Sequence, residues 1–230
     1  PYHFLYLNGL LRKKPLYDFS DQRPLPPGLQ RFYNFKRRCL MIGKFRYHFI
    51  DEGNPHHPPV LMLHGNPTWS FYFRRLIAAL SEAHHVIAPD HMGCGLSDKP
   101  EVYPYRLSNH MENAEKLIDH LSLKRITLVC HDWGGGIGMG VATRRPDLFN
   151  RFVILNTAAW RSNRMPKRIA VCRIPFFGAL TVRGFNGFAL AATRMAVAGP
   201  LEKVAKTGML YPYNNWKNRI AILRFVQDIP

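Results

Sequence analysis

A chain of 230 residues with 47% apolar and 13% aromatic side chains can bury a sizeable core as one large domain, which excludes a disordered or fibrous polypeptide. Its net charge of +17 is unevenly spread: residues 1–50 hold ten Lys/Arg against two acids and residues 161–230 twelve against two. Residues 51–160 hold ten against eleven, so the middle of the chain is neutral and the basic load lies on its flanks.

Basic flanks suit an acidic protein surface, anionic lipid or simply a solvated face. No RNP, helix-turn-helix or zinc-finger pattern points to nucleic acid. The cysteines at 39, 94, 130 and 172 share neither metal nor disulfide-framework spacing, so a reducing cytoplasm is the expected compartment and no cofactor or metal is expected. No signal peptide opens the chain, and the longest uncharged apolar stretch, Gly184 to Thr193, is far short of the ~20 residues of a membrane span. Pro1 and the closing Ile229-Pro230 read as cuts within a longer protein.

Taken in order, residues 1–36 mix aromatics, basics and prolines and predict an irregular, partly helical lead-in, with Tyr2 to Leu11 as a short docking helix or, ahead of Arg12-Lys13-Lys14, an interfacial one. Arg37 to Ile42 and Phe45 to Asp51 flank Gly43-Lys44 as a hairpin. Val60 to Leu63 is a continuous apolar run typical of a buried strand, Trp69 to Leu80 has helical periodicity, and Val86 to Ala88 is a second buried strand. Ser108 is the expected N-cap of a helix through Leu121. Ile126 to Cys130, Ile137 to Arg144 and Phe152 to Asn156 read as strand, helix and strand. Strand and helix alternating at this spacing predict a mostly parallel sheet covered on both faces, an α/β core over residues 37–157. From 158 to 230 prolines break helical stretches with no clear strand, which predicts a helical cap.

The strand Ile126–Cys130 runs straight into His131-Asp132-Trp133-Gly134-Gly135-Gly136. A buried strand that reverses into a helix needs small residues round the bend, and the residue at the apex is pushed out of the sheet in a strained conformation. The small-x-nucleophile-x-small spacing reads Cys130-His131-Asp132-Trp133-Gly134, so Asp132 takes the apex. A phosphate loop is the competing reading, but no register gives G-x-G-x-x-G and no Lys-Ser/Thr follows. Two further loops follow the other buried strands, His64-Gly65-Asn66-Pro67-Thr68-Trp69 and Pro89-Asp90-His91-Met92-Gly93-Cys94-Gly95. Ligands in open parallel sheets bind at these carboxyl ends.

Together the three loops resemble the α/β-hydrolase fold, in the branch of the haloalkane dehalogenases. The resemblance implies that Asp132 is a nucleophile forming an ester with substrate; a carboxylate needs no base for that attack. It also implies that Asn66 and Trp133 stabilise the departing anion through their side-chain N–H groups and an oxyanion through their backbone N–H groups. The tail, with Asn156-Thr157-Ala158-Ala159-Trp160 and Pro212-Tyr213-Asn214-Asn215-Trp216, is similar to the β-lactone decarboxylases of bacterial long-chain olefin biosynthesis. That likeness implies conversion of a long-chain cis-β-lactone to a cis-olefin and carbon dioxide, a hydrophobic substrate held by Ile174 to Leu180 and Phe185 to Leu190, and assembly with olefin-pathway enzymes. Haloalkane dehalogenation is the alternative. An epoxide hydrolase, with Tyr211 and Tyr213 as acids, and a non-catalytic assembly module are further readings.

All eleven histidines lie at or before His131, whereas in this fold the base follows the nucleophile. The acid some relatives carry after the next strand is absent too, so these 230 residues are expected to perform at most the first half-reaction. His64 and His91 read as loop residues, and His56-His57 and His84-His85 as surface residues.

Overall fold

The computed structural model describes residues 16–157 and 166–229; the expected helix Tyr2 to Leu11 and the start of the expected cap lie outside them. Seven strands form one sheet: β1 Asp18–Ser20, β2 Arg37–Ile42, β3 Phe45–Glu52, β4 Pro59–Leu63, β5 His85–Pro89, β6 Ile126–His131 and β7 Phe149–Leu155. Their spatial order is β1-β2-β3-β5-β4-β6-β7. β1, β2, β3 and β5 are joined antiparallel, and β5, β4, β6 and β7 parallel. β4 therefore lies between β5 and β6, and the winding reverses there. In such sheets the crevice for a ligand opens above that reversal.

The pleat sorts the apolar runs onto two faces. Tyr47, Phe49, Leu61, Leu63, Ile87, Leu128 and Cys130 join one core cluster. Ile50, Val60, Met62, Val86, Ala88 and Val129 join the other. Period-2 alternation thus survives inside strands that read as uniformly apolar, because both faces are covered. The second face is covered by α1 (Pro27–Gln30), by Trp69, Phe71 and Phe73, and by α2 (Arg74–Leu80). The first is covered by α3 (Leu107–His120), α4 (Trp133–Arg144) and α9 (Ile220–Gln227). Between α4 and α9 the chain adds short helices α5 (Lys167–Ala170) and α6 (Phe177–Ala179), a π-turn at Leu180–Gly184, α7 (Gly187–Met195) and α8 (Lys203–Leu210). Among the described residues this stretch adds no strand, and no helix is long and apolar enough to cross a membrane.

Four local expectations are corrected. The lead-in contributes β1, which pairs with β2 and places Asp18 against Arg38, so the sheet starts before residue 37. Ser108 does not cap α3: the helix starts at Leu107, and Asp228, at the end of α9, accepts the Leu107 N–H at 2.6 Å and pairs with Arg106 at 3.1 Å. α4 begins at Trp133, not Ile137, despite three consecutive glycines. Glycine weakens a helix by ~1 kcal/mol relative to alanine, but a Cβ on Gly134 would stand 1.9 Å from Leu63 O and one on Gly135 2.0 Å from Thr157 Oγ1. Close packing against β4 and the loop after β7 therefore overrides propensity. Lastly, His85 is buried, with Nε2 2.7 Å from Asp51 Oδ1.

Candidate active site

Asp132 stands between β6 and α4 with φ 50° and ψ −124°. Positive φ is costly for a residue with a Cβ, and it persists only where the surroundings fix it. Here the Asp132 N–H donates to Asn156 O at 3.3 Å, and its carbonyl accepts from the Gly135 N–H at 2.9 Å and from the Thr157 hydroxyl. The facing loop comes in so close that a Cβ on Gly65 would lie 2.3 Å from both Cβ and Oδ1 of Asp132.

The two carboxylate oxygens are not equivalent. The Asn66 backbone N–H donates to Oδ1 at 2.7 Å, and among the described residues no donor reaches Oδ2. Trp133 is the first residue of α4, so its N–H belongs to the helix terminus, where donors lack intrahelical partners and the dipole favours negative charge. Oδ1 thus faces a backbone donor, and Oδ2 is left unbonded by the described residues.

The side chains of Asn66 and Trp133 flank this carboxylate differently. The Trp133 indole is half-buried, 5.1 Å from the Phe225 ring of α9. Asn66 Nδ2 donates to Ile222 O, also in α9, at 3.0 Å, while its Oδ1 is buried with no partner. One of the two amide hydrogens is therefore spent on holding α9, and the other remains for a ligand. Next to the apex, His131 stacks on Tyr72 with centroids 4.4 Å apart. Burial lowers the pKa of His131 although the Asp132 charge opposes it, and burial together with that charge raises Tyr72.

Beneath the site lies a buried polar layer. Asp90, at the end of β5, accepts the Ser70 N–H at 2.7 Å and the Leu96 N–H at 2.8 Å, and lies 2.9 Å from His48 Nδ1. Burial pushes its carboxyl up, but the charge and hydrogen bond of His48, with His64 and the Leu96 N–H, bring it to about 2. His64 Nδ1 lies 2.8 Å from Gly65 O, and its Nε2 accepts the His91 N–H at 3.0 Å. His91 Nε2 in turn lies 2.9 Å from His64 O. These bonds assign the proton to Nδ1 of His64 and to Nε2 of His91. His110 packs against His91 at 5.7 Å. Burial depresses all three imidazoles, His91 far down and His110 to about 3. His64 and His91 are loop residues by sequence, as expected, yet they act as neutral packing groups that shape the Asn66 loop.

The structure therefore brings Asp132, Asn66 and Trp133 together. Sequence reasoning missed Thr157, Asp90 and Gly65 as supports. Asp90 carried a usable signal, an acid at the carboxyl end of a buried strand; Thr157 carried none.

Across residues 58–194 the chain matches the family described as alpha/beta hydrolase fold, and it belongs to that family. It is 47% identical over 203 residues to the cis-3-alkyl-4-alkyloxetan-2-one decarboxylase of Shewanella oneidensis, covering 85% of this chain and 63% of that one. It is 40% identical over 193 residues to the decarboxylase of the same name from Xanthomonas campestris pv. campestris, covering 79% and 64%. The haloalkane dehalogenase DatA of Agrobacterium tumefaciens superposes with a TM-score of 0.75 at 27% identity, covering 83% of this chain and 66% of that chain. The chain thus spans somewhat under two thirds of the length of the two decarboxylases.

Proposed function

We propose that this chain carries the nucleophilic half of an enzyme that decarboxylates a long-chain cis-β-lactone to a cis-olefin. The observation that carries the substrate assignment is the 47% match to a 3-alkyl-4-alkyloxetan-2-one decarboxylase over 85% of the chain, a span long enough to take in both the elbow and most of the helical stretch. On this reading Asp132 Oδ2 attacks the strained ring while the Asn66 backbone N–H holds Oδ1 and the Trp133 N–H, at the helix terminus, supports the negative charge. Over the whole reaction one ring C–O bond and one ring C–C bond break, carbon dioxide leaves, a C=C bond forms and Asp132 is released unchanged. Neither water nor a proton is consumed.

The second reading, hydrolytic dehalogenation, is favoured by the pairing of an Asn amide with a Trp indole beside the carboxylate and by the fold shared with DatA. It consumes water, so it requires a base to activate that water. No histidine follows His131 in these 230 residues.

The test uses the full-length protein, and its Asp132→Ala variant, with a dialkyl cis-β-lactone and with a bromoalkane. Olefin from the lactone, lost in the variant, is the expected result. Bromide release without olefin would replace this assignment by the dehalogenase.

A further inference from the structure

We propose that the solvent-exposed apolar surface formed by Ile174, Phe176, Phe177, Leu180, Phe185 and Trp216 docks on an anionic lipid bilayer. The helical stretch turns Val182, Ala189 and Tyr213 inward to a small core of its own, but it leaves these six large side chains at least two-fifths exposed, Phe176 at 90% and Phe185 at 69%. Scattered apolar residues on a surface are ordinary, whereas a run of them within twelve positions marks an interaction site. Leu180 and Trp216, distant in sequence, also adjoin in space. A Cβ on Gly184 would touch both Leu180 and the Trp216 ring, and the Arg183 guanidinium lies 4.5 Å from the centre of that ring.

Phe176 is the tip. It has φ +60°, a conformation that an aromatic residue rarely adopts. The turn that imposes it is fastened on both sides: Phe177 N–H bonds Pro175 O at 2.6 Å, Gly178 N–H bonds Ile174 O at 2.7 Å and Leu180 N–H bonds Phe176 O at 2.8 Å. Gly178 is pressed so close to Cys172 O that a Cβ there would stand 2.0 Å from it. Local strain is thus spent on presenting a phenyl ring to water, which makes sense only if something apolar receives it.

Charge selects the receiver. Residues 158–201 contain seven Lys/Arg and no Asp or Glu. Of the two acids beyond them, Glu202 pairs with Arg75 at the surface and Asp228 is held at the start of α3. The carboxylate of Glu101 lies 3.9 Å from Arg183, but cations remain in excess around the exposed aromatics, which matches the lipid interface: rings settle at headgroup depth while Lys and Arg meet the negative leaflet. An acidic protein would satisfy the cations but offers no continuous apolar phase for the rings. That a bilayer is also where a dialkyl substrate dissolves rests on the lactone reading above; the docking itself does not.

The test reads binding and not turnover, so it can fail independently of that reading. The full-length protein is sedimented with vesicles of phosphatidylglycerol and phosphatidylcholine, and with phosphatidylcholine alone. Binding to the anionic vesicles only, weakened by salt, is expected. A Phe176→Asp/Phe185→Asp double variant and a Lys167→Glu/Arg168→Glu double variant should each bind about tenfold more weakly or worse, with thermal melting unchanged. A Phe176→Cys variant should react with a maleimide in solution and be protected by anionic vesicles. The proposal is overturned if neither vesicle binds, if the variants bind as wild type does, or if Phe176→Cys is unreactive in the full-length protein without lipid. Phe176-dependent retention on an acidic polypeptide, with no vesicle binding, would equally overturn it in favour of a protein partner.

Discussion

At the residue scale the site depends on what Asp132 is given and what is kept from it. The Asn66 N–H at 2.7 Å distinguishes Oδ1 from Oδ2, and the absence of a Cβ on Gly65 lets the two loops meet. Gly65→Ala would set a methyl 2.3 Å from the carboxylate. Ester formation should fall at least ~100-fold, since a misplacement of ~1 Å costs that much, while far-UV circular dichroism stays near wild type; single-turnover kinetics on the full-length protein checks this. The neutral imidazoles beneath the site give a pH signature. His91 and His110 have folded pKa values pushed below the 6.5 of a free imidazole by burial, His110 to about 3. The folded state therefore binds fewer protons than the unfolded state between those values. Stability is complete above pH 6.5 and is lost as pH falls toward 3, each such histidine adding about 1.4 kcal/mol per pH unit to the slope. Urea midpoints between pH 7.5 and 4.5 should show this, and His110→Phe should flatten the slope; an unchanged slope would remove His110 from the account.

At the element scale, one six-residue loop fastens the helical stretch to the sheet. Trp69 Nε1 donates to Gly208 O at 3.0 Å, the Tyr213 hydroxyl to Thr68 O at 2.9 Å and Asn66 Nδ2 to Ile222 O at 3.0 Å. Gly208 lies inside α8, where a Cβ would stand 2.2 Å from the Phe71 ring. Gly208→Ala should therefore lower the melting temperature by several degrees, an overpacking cost of ~1–3 kcal/mol, although alanine is the better helix former. Equal or raised stability would show that α8 is not seated on Phe71. These contacts also show where sequence reading stops. The strands were legible because apolar runs must be buried, and Asp132 because a bend between strand and helix restricts its neighbours. The cap of α3 was illegible: its acceptor, Asp228, lies 121 residues beyond Leu107. No local pattern records such a partner, and Ser108 offered a plausible local one. The early start of α4 was hidden for a related reason, since three glycines argue against a helix until Leu63 and Thr157 are seen pressing on them.

At the scale of the molecule, reversal of the winding at β4 brings the ends of β4, β5 and β6 together, and the neutral middle of the sequence is the part that supplies the site. The net charge of +17 is carried mainly by the flanks, so self-repulsion should weaken the folded chain at low ionic strength. Raising salt from low to physiological levels should increase its melting temperature; a fall would mean that attractive ion pairs outweigh the repulsion. The central claim is that Asp132 attacks substrate through an oxygen left unbonded by its neighbours. The most direct measurement is rapid-quench mass spectrometry of the full-length protein mixed with a cis-β-lactone or a bromoalkane, followed by peptide mapping. An adduct of the lactone mass, or of the alkyl group after loss of bromide, is expected on Asp132 and is absent from Asp132→Asn. An adduct on another residue, or substrate consumption undiminished in Asp132→Asn, would contradict it.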